Sequence, residues 1–509
     1  MQKLPIGIQS FRQIREENYI YIDKTALALE LIKNYKYSFL SRPRRFGKSL
    51  FLDTLRHIFE GKKELFEGLA IYDKWNWQES YPIIKLSWGG SDYSSMEETK
   101  KKALFMLEIN QKKLQIDCKL DDSPSICLAR LIHNAYEKYQ KKVVVLVDEY
   151  DKPILNNIDN TKLALENRDF LRGFYEVFKE NDEYLEFVFL TGISKFSKAN
   201  IFSGLNNLED ISLTPKFSTI CGYTQENLED EFKEHLAGAN LEQVRQWYNG
   251  YNFLGESVYN PFDILKFIKS GFLFRNYWWE SGNPSFLITL LKQKPYNIPE
   301  LENIIVGDEL LNSFDIEQLR LEVLLFQSGY LTIDKFINDP EFGINEYKLK
   351  VPNKEVNISL NRLFLDYLTD GIKVDKRIIY ALLEANLEEF KDIFSSLFAS
   401  IAYNNYTKNK IANYEGYYAS VFYAYLAASG LNVIAEDVTS SGKIDITILI
   451  KDKAYIIEFK VGKKGALAQI KAKQYYKKYL NRAKEIYLLG IVFDKESKNI
   501  SDFVWERVE

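Results

Sequence analysis

The chain has 509 residues, 46% of them hydrophobic and 27% charged, with a net charge of −4. That length is more than one core holds, and the composition excludes a disordered or collagen-like chain; no apolar run is long enough to span a membrane. Three histidines and three scattered cysteines exclude a His-dependent triad and a zinc centre of thiolates or imidazoles, so any metal is expected on oxygen ligands.

The N-terminus lacks a basic segment followed by an apolar run, and Cys118, Cys127 and Cys221 are far from any paired motif. Both features point to a cytoplasmic, reducing compartment. "YKYSFLS" (35–41) reads as a strand and "SLFLDTLRHIF" (49–59) as a helix. "YPIIKLSW" (81–88), "KVVVLVDEY" (142–150) and "EFVFLTGI" (186–193) are further strands with helices between them. Strands this apolar, alternating with helices, predict a parallel sheet covered on both faces over residues 1–215.

From Gly222 the strand pattern stops, and Thr224 is placed to cap a helix. Residues 216–300 read as a helical region rich in aromatics, with Trp247, Tyr248, Tyr251, Trp278 and Trp279 taken as core rather than as stacking platforms. Residues 301–375 follow a helix, strand, strand, helix order that suggests a winged-helix-like module. Residues 376–509 hold a helix around "NYEGYYASVFYAYLAASG", the hairpin "GKIDITILIKDKAYIIEFKVGKK", a basic helix and the strand "EIYLLGIVF". The fold class expected is α/β in both halves.

"SRPRRFGKSL" (41–50) follows a strand and opens a helix, the setting of a phosphate-binding loop. Gly47, Lys48 and Ser49 match the end of that motif; Arg42 stands where its first glycine is usual, and Arg42, Arg44 and Arg45 add positive charge. Lys48 would meet the β and γ phosphates of ATP and Ser49 would ligate Mg²⁺. "VVVLVDEYD" ends a buried strand in Asp148 and Glu149, the first suited to Mg²⁺ and the second to orienting the attacking water. Thr191, Ser194 and Lys195 after the next strand are candidate sensors of the γ-phosphate.

"IYIDKT", "SRPRRFGKSL", "VDEYDKP", "TGISKFSKANIFSGLNNL" and "WYNGYNF" resemble the bacterial AAA-ATPase-like family, whose members carry a C-terminal nuclease domain of the PD-(D/E)XK superfamily. The resemblance runs almost end to end and implies that the arginine-containing loop is a family trait. It also implies a helical lid and a winged helix after the sheet domain, and a part in defence or mobile-element biology.

The hairpin fits that second domain. Cutting a phosphodiester needs a metal, an activated water and positive charge for the transition state. Asp445 and Glu458, from neighbouring strands, would hold Mg²⁺ or Mn²⁺ with the Phe459 carbonyl, and Lys460, on the same face as Glu458, would orient the water. The resemblance adds Glu415 on the preceding helix to the metal shell. Gln469 and Tyr475 on the basic helix, with Lys443 and Lys471, are the candidate nucleic-acid contacts; relatives often have arginine at the Lys443 position. From Lys460 to Lys484 nine residues are basic and none is acidic, which reads as a positive patch for a polyanion.

Together these features predict an ATP-binding protein coupled to a Mg²⁺-dependent DNA endonuclease, with RNA as the other substrate left open, no membrane partner and oligomerisation undetermined. The competing reading is an ATP-dependent switch that binds nucleic acid or a protein without cutting.

Overall fold

A computed structural model describes residues 1–118, 123–195, 207–281, 304–307, 320–369, 371–401 and 415–508, with the side chain of Glu415 left aside. The chain divides into two compact units, residues 1–281 with 305–353, and residues 354–508. The helix Lys354–Thr369 packs on the helix Glu415–Ala428, so the second unit begins earlier than the 376 the sequence suggests.

In the first unit, β1 (Tyr37–Ser41), β2 (Ile83–Ser87), β3 (Val143–Asp148), β4 (Leu185–Gly192) and β5 (Glu209–Asp210) form a parallel sheet in the order β2-β3-β4-β1-β5. Every residue of β3 is buried, as a β-branched run covered on both faces requires. The crossover helices Met96–Leu114, Pro124–Tyr139 and Thr161–Glu180 start at side-chain caps: Ser95, Ser123 and Asn160 accept from Glu98, Ile126 and Leu163 backbone N–H groups. Cys118 and Cys127 are joined as a disulfide, and Cys221 is free and buried. The pairing departs from the reading of the cysteines as scattered, and the argument for a reducing compartment that rested on that reading falls away.

The aromatic middle is core. Tyr248, Tyr251 and Trp278 are fully buried, and Tyr248 joins Phe232, Val244, Ile264 and Phe267 in a cluster that also takes Ile20 and Ile22 from near the N-terminus. A small antiparallel sheet has β8 (Ile344–Lys350) central between β6 (Ile305–Gly307), which precedes the helix Leu321–Ser328, and β7 (Thr332–Asp339), which follows it.

In the second unit, β9 (Asn432–Thr439), β10 (Gly442–Ile450), β11 (Lys453–Val461), β12 (Glu485–Phe493) and β13 (Ile500–Arg507) are hydrogen-bonded in that order across one sheet. Only the β11–β12 pair is parallel. The helix Ala466–Lys473 and the turn Tyr475–Tyr479 make that crossover, burying Ile470, Tyr475 and Tyr479 against Ile444, Ile456 and Leu488. No helix among the described residues is long and apolar enough to cross a membrane.

Candidate nucleotide and nuclease sites

The loop between β1 and the helix Lys48–Phe59 turns on Gly47, at φ +94°, and on Arg45, at φ +68°. Lys48 is buried, and its ammonium donates to the carbonyls of Arg42 and Pro43 at 2.8 and 2.9 Å. Burial lowers its pKa, opposed by the negative charges of Asp148, Asp151 and Glu149, which places the lysine and the β3 acids around one space. Two buried oxygens there, Asp148 Oδ1 and Thr191 Oγ1, have no hydrogen-bond partner among the described residues. An orphaned carboxylate oxygen and hydroxyl beside a lysine are suited to a hydrated Mg²⁺ and a phosphate. An apolar pocket lined by Ile20, Ile22, Phe51, Tyr223 and Pro261 opens beside Gly47.

Arg42 takes no part in the surface charge of the loop. Its guanidinium is 1% exposed, lies 3.8 Å over the Phe253 ring, and donates to the carbonyls of Ser41, Ser212 and Phe217 at 2.9, 2.7 and 3.1 Å. Arg44 and Arg45 lie over Trp278 and Phe262, at 5.1 and 4.9 Å from the ring centroids. Among the sensor candidates, Ser194 Oγ donates to Asp151 at 2.7 Å and Lys195 pairs with Asp210; Thr191 alone keeps its hydroxyl unengaged among the described residues.

In the second unit, Asp445 Oδ2 accepts the Phe459 backbone N–H at 2.7 Å, just beyond the last β10–β11 pair, Ile446 with Ile457. Glu458 is buried, and its Oε1 takes a short hydrogen bond from the Gln469 amide. The Lys460 ammonium lies 2.9 Å from the Phe459 carbonyl and 3.5 Å from Glu458 Oε1. The lysine cation thus rests on two of the three oxygen ligands expected for a metal, and a set of two carboxylates and a carbonyl fits Mg²⁺ or Mn²⁺. Burial raises the Tyr475 pKa, and the charges of Glu458 and Asp445 raise it further, so its hydroxyl stays protonated close to both. No group of three His, Cys, Asp or Glu side chains placed for a metal occurs among the described residues. Glu415 opens the helix Glu415–Ala428, but its side chain falls outside them.

A model of the AAA-ATPase-like family, described as a predicted AAA-ATPase, matches residues 5–202, and a model of the PD-(D/E)XK nuclease superfamily matches residues 413–503. A protein of Azotobacter chroococcum mcd 1, named "Uncharacterized protein in vnfD 5'region", is 44% identical over 515 residues, 99% of each chain. The chain belongs to the AAA-ATPase-like family with a C-terminal PD-(D/E)XK nuclease domain.

The ATPase-like domain contains a third acid that sequence reasoning passed over. Asp151, in "VDEYD", is buried and accepts the backbone N–H groups of Ile193 and Ser194 at 2.9 and 2.6 Å, binding the end of β3 to the turn after β4. Two glycines make room for these acids. A Cβ on Gly192 would sit 2.7 Å from Asp151 Oδ1, and one on Gly89 would sit 2.8 Å from Glu149 Oε2.

The nuclease-like domain departs from its reading in the basic run. Lys471 pairs with Glu506 at 2.8 Å, Lys478 with Asp437, and Lys484 with Asp452 at 3.6 Å, so the run is not one continuous patch. Lys443 lies 3.4 Å from Glu436. Tyr475 is 3% exposed and packs over Gly442, where an added Cβ would be 2.9 Å from its hydroxyl.

Proposed function

We propose that the chain is a nucleotide-binding switch joined to a metal-dependent DNA endonuclease, with Asp445, Glu458, Phe459 and Lys460 as its cutting centre. The observation that carries this reading is the Lys460 ammonium seated against Glu458 Oε1 and the Phe459 carbonyl, with Asp445 fixed to the same backbone unit. Mg²⁺ bound by Asp445, Glu458 and the Phe459 carbonyl would polarise the scissile phosphate and lower the pKa of a bound water. Lys460 would set its charge against the pentavalent transition state and orient the water with its N–H groups. Gln469 holds Glu458 in place, and Tyr475 offers a proton-bearing hydroxyl to a phosphate oxygen.

In the ATPase-like domain, Lys48 would exchange its loop carbonyls for the β and γ phosphates, with Gly47 and Arg45 shaping the loop. Ser49 and Asp148 would hold Mg²⁺, which neutralises the phosphate charge; Glu149 would orient water and Thr191 contact the γ-phosphate. The apolar pocket beside Gly47 offers room for the nucleoside.

Supercoiled plasmid incubated with Mg²⁺ or Mn²⁺, with and without ATP, tests the proposal. Nicking lost in Lys460→Ala and in Glu458→Gln, each still folded by circular dichroism, supports it. Intact plasmid under every metal and nucleotide condition, with ATP still bound and binding lost in Lys48→Ala, replaces it with a switch that does not cut.

A further inference from the structure

Once the ion-paired residues are set aside, the basic residues of the nuclease-like domain fall into a pattern. Lys463 and Lys464 are exposed just past the end of β11, three and four residues beyond Lys460, and neither has a carboxylate within ion-pair distance among the described residues. A third lysine joins them from β12. Gly462, at φ +65°, donates its N–H to the Phe493 carbonyl at 2.8 Å, which brings the turn after β12 against the end of β11. The stem of Lys495, an exposed residue of the turn after β12, lies over Gly462, the residue before Lys463, its Cε 3.0 Å from where a Cβ would stand.

Neither neighbouring acid, Asp494 or Glu496, is within ion-pair distance of these lysines among the described residues. Asp494 is turned into its own loop, accepting the N–H groups of Glu496 and Ser497 at 3.0 and 2.8 Å, and Glu496 is the exposed carboxylate on that turn. At the opposite ends of the same two strands the cations are paired, Lys484 with Asp452 and Arg507 with Glu485, each at 3.6 Å.

We propose that the sugar-phosphate backbone of the substrate leaves the cutting centre over the ends of β11 and β12, with Lys463, Lys464 and Lys495 against the phosphates on one side of the cut. This rests on the nuclease reading and deepens it. The four steps from Lys460 to Lys464 span at most about 14 Å, so the track covers no more than about four nucleotides at the rise of a stacked strand. The substrate in this proposal is a polynucleotide that continues past the cut.

The test is binding of a fluorescein-labelled 30-mer, duplex and single-stranded, to the full chain in EDTA over a range of salt concentrations. Each phosphate contact contributes about 0.9 to the slope of log K against log salt for duplex and about 0.7 for a single strand. The triple variant Lys463→Gln/Lys464→Gln/Lys495→Gln is expected to lose about 2 to 3 from that slope and at least about tenfold in affinity at moderate salt. The double variant Lys484→Gln/Arg507→Gln is expected to keep the wild-type slope. An unchanged slope in the triple variant, or an equal loss in both variants, overturns the proposed track and leaves the nuclease reading standing. No binding of either oligonucleotide by the wild type removes the nuclease reading itself.

Discussion

Asp445 Oδ2 accepts the Phe459 backbone N–H at 2.7 Å, so the main chain of β11 donates to a side chain on β10 beyond the point where the two strands stop pairing. This hydrogen bond ties the aspartate to the residue whose carbonyl lies under Lys460. Asp445→Asn keeps an oxygen that accepts this N–H but removes the charge. Nicking is expected to fall by about 100-fold or more with the fold intact, as plasmid assays and thermal melting of the same preparation would show. Gln469→Ala acts on Glu458 instead. It should raise the half-saturating Mg²⁺ concentration by about 10- to 100-fold, and full rescue at high metal distinguishes this positioning role from a catalytic one.

Gly442, at φ +146°, has the Tyr475 hydroxyl 2.9 Å from its missing Cβ, whereas Gly465, at φ +112°, has nothing within 4 Å. Alanine strains the backbone at both positions, at a cost of about 1–3 kcal/mol each. Only Gly442→Ala also displaces Tyr475. Both variants should melt earlier, but Gly442→Ala alone should lose nicking out of proportion to its stability.

Glu149 sits at φ +52°, and burial is the first cause of its raised pKa, with Asp148 and Asp151 adding to it. The ionised form would orient water, so ATP hydrolysis should fall as pH drops through a value above the ordinary glutamate range. Glu149→Gln should remove that limb along with most of the hydrolysis. The stability effect has the opposite sense. A raised carboxyl contributes stability below its unfolded pKa and loses that contribution as pH rises through the folded value. Glu149→Gln should therefore raise the melting temperature at neutral pH, and a lowered one would contradict this account.

Asp437 is buried and accepts from the Thr447 hydroxyl at 2.9 Å, and from Lys478 and Tyr479 through short hydrogen bonds. Asp437→Ala would leave two hydroxyls without their acceptor and the Lys478 ammonium with the Val438 carbonyl but no carboxylate, costing about 3 kcal/mol. Urea unfolding should show this, and Lys478→Met in the same background should recover part of the loss.

Elements whose signal is local were legible in the chain. β3 is an apolar run ending in acids, and the phosphate-binding loop lies between a strand and a helix, so both stand out without knowledge of their neighbours. β5 has two residues and pairs with β1 from 171 positions away, leaving no local trace. Alternation along β10 is imperfect for a similar reason. Ile444 and Thr447, three residues apart, both face Tyr479, the first by packing and the second through Asp437. Period-two counting therefore breaks near Asp445, where the facing position on β9, Glu436, has φ +49°. The acids that neutralise the basic run, Asp437 and Glu506, come from other strands of the sheet.

Arg42 sets a rule for engineering the loop. Its guanidinium is held by main-chain oxygens from distant parts of the fold, so the residue at odds with the motif is the fastening that ties the loop to the segment around Ser212 and Phe217. Reverting it to glycine to restore the consensus would unmoor the segment around Ser212 and Phe217 and leave a hollow over Phe253. A repair guided by sequence statistics would thus disable the part it was meant to improve.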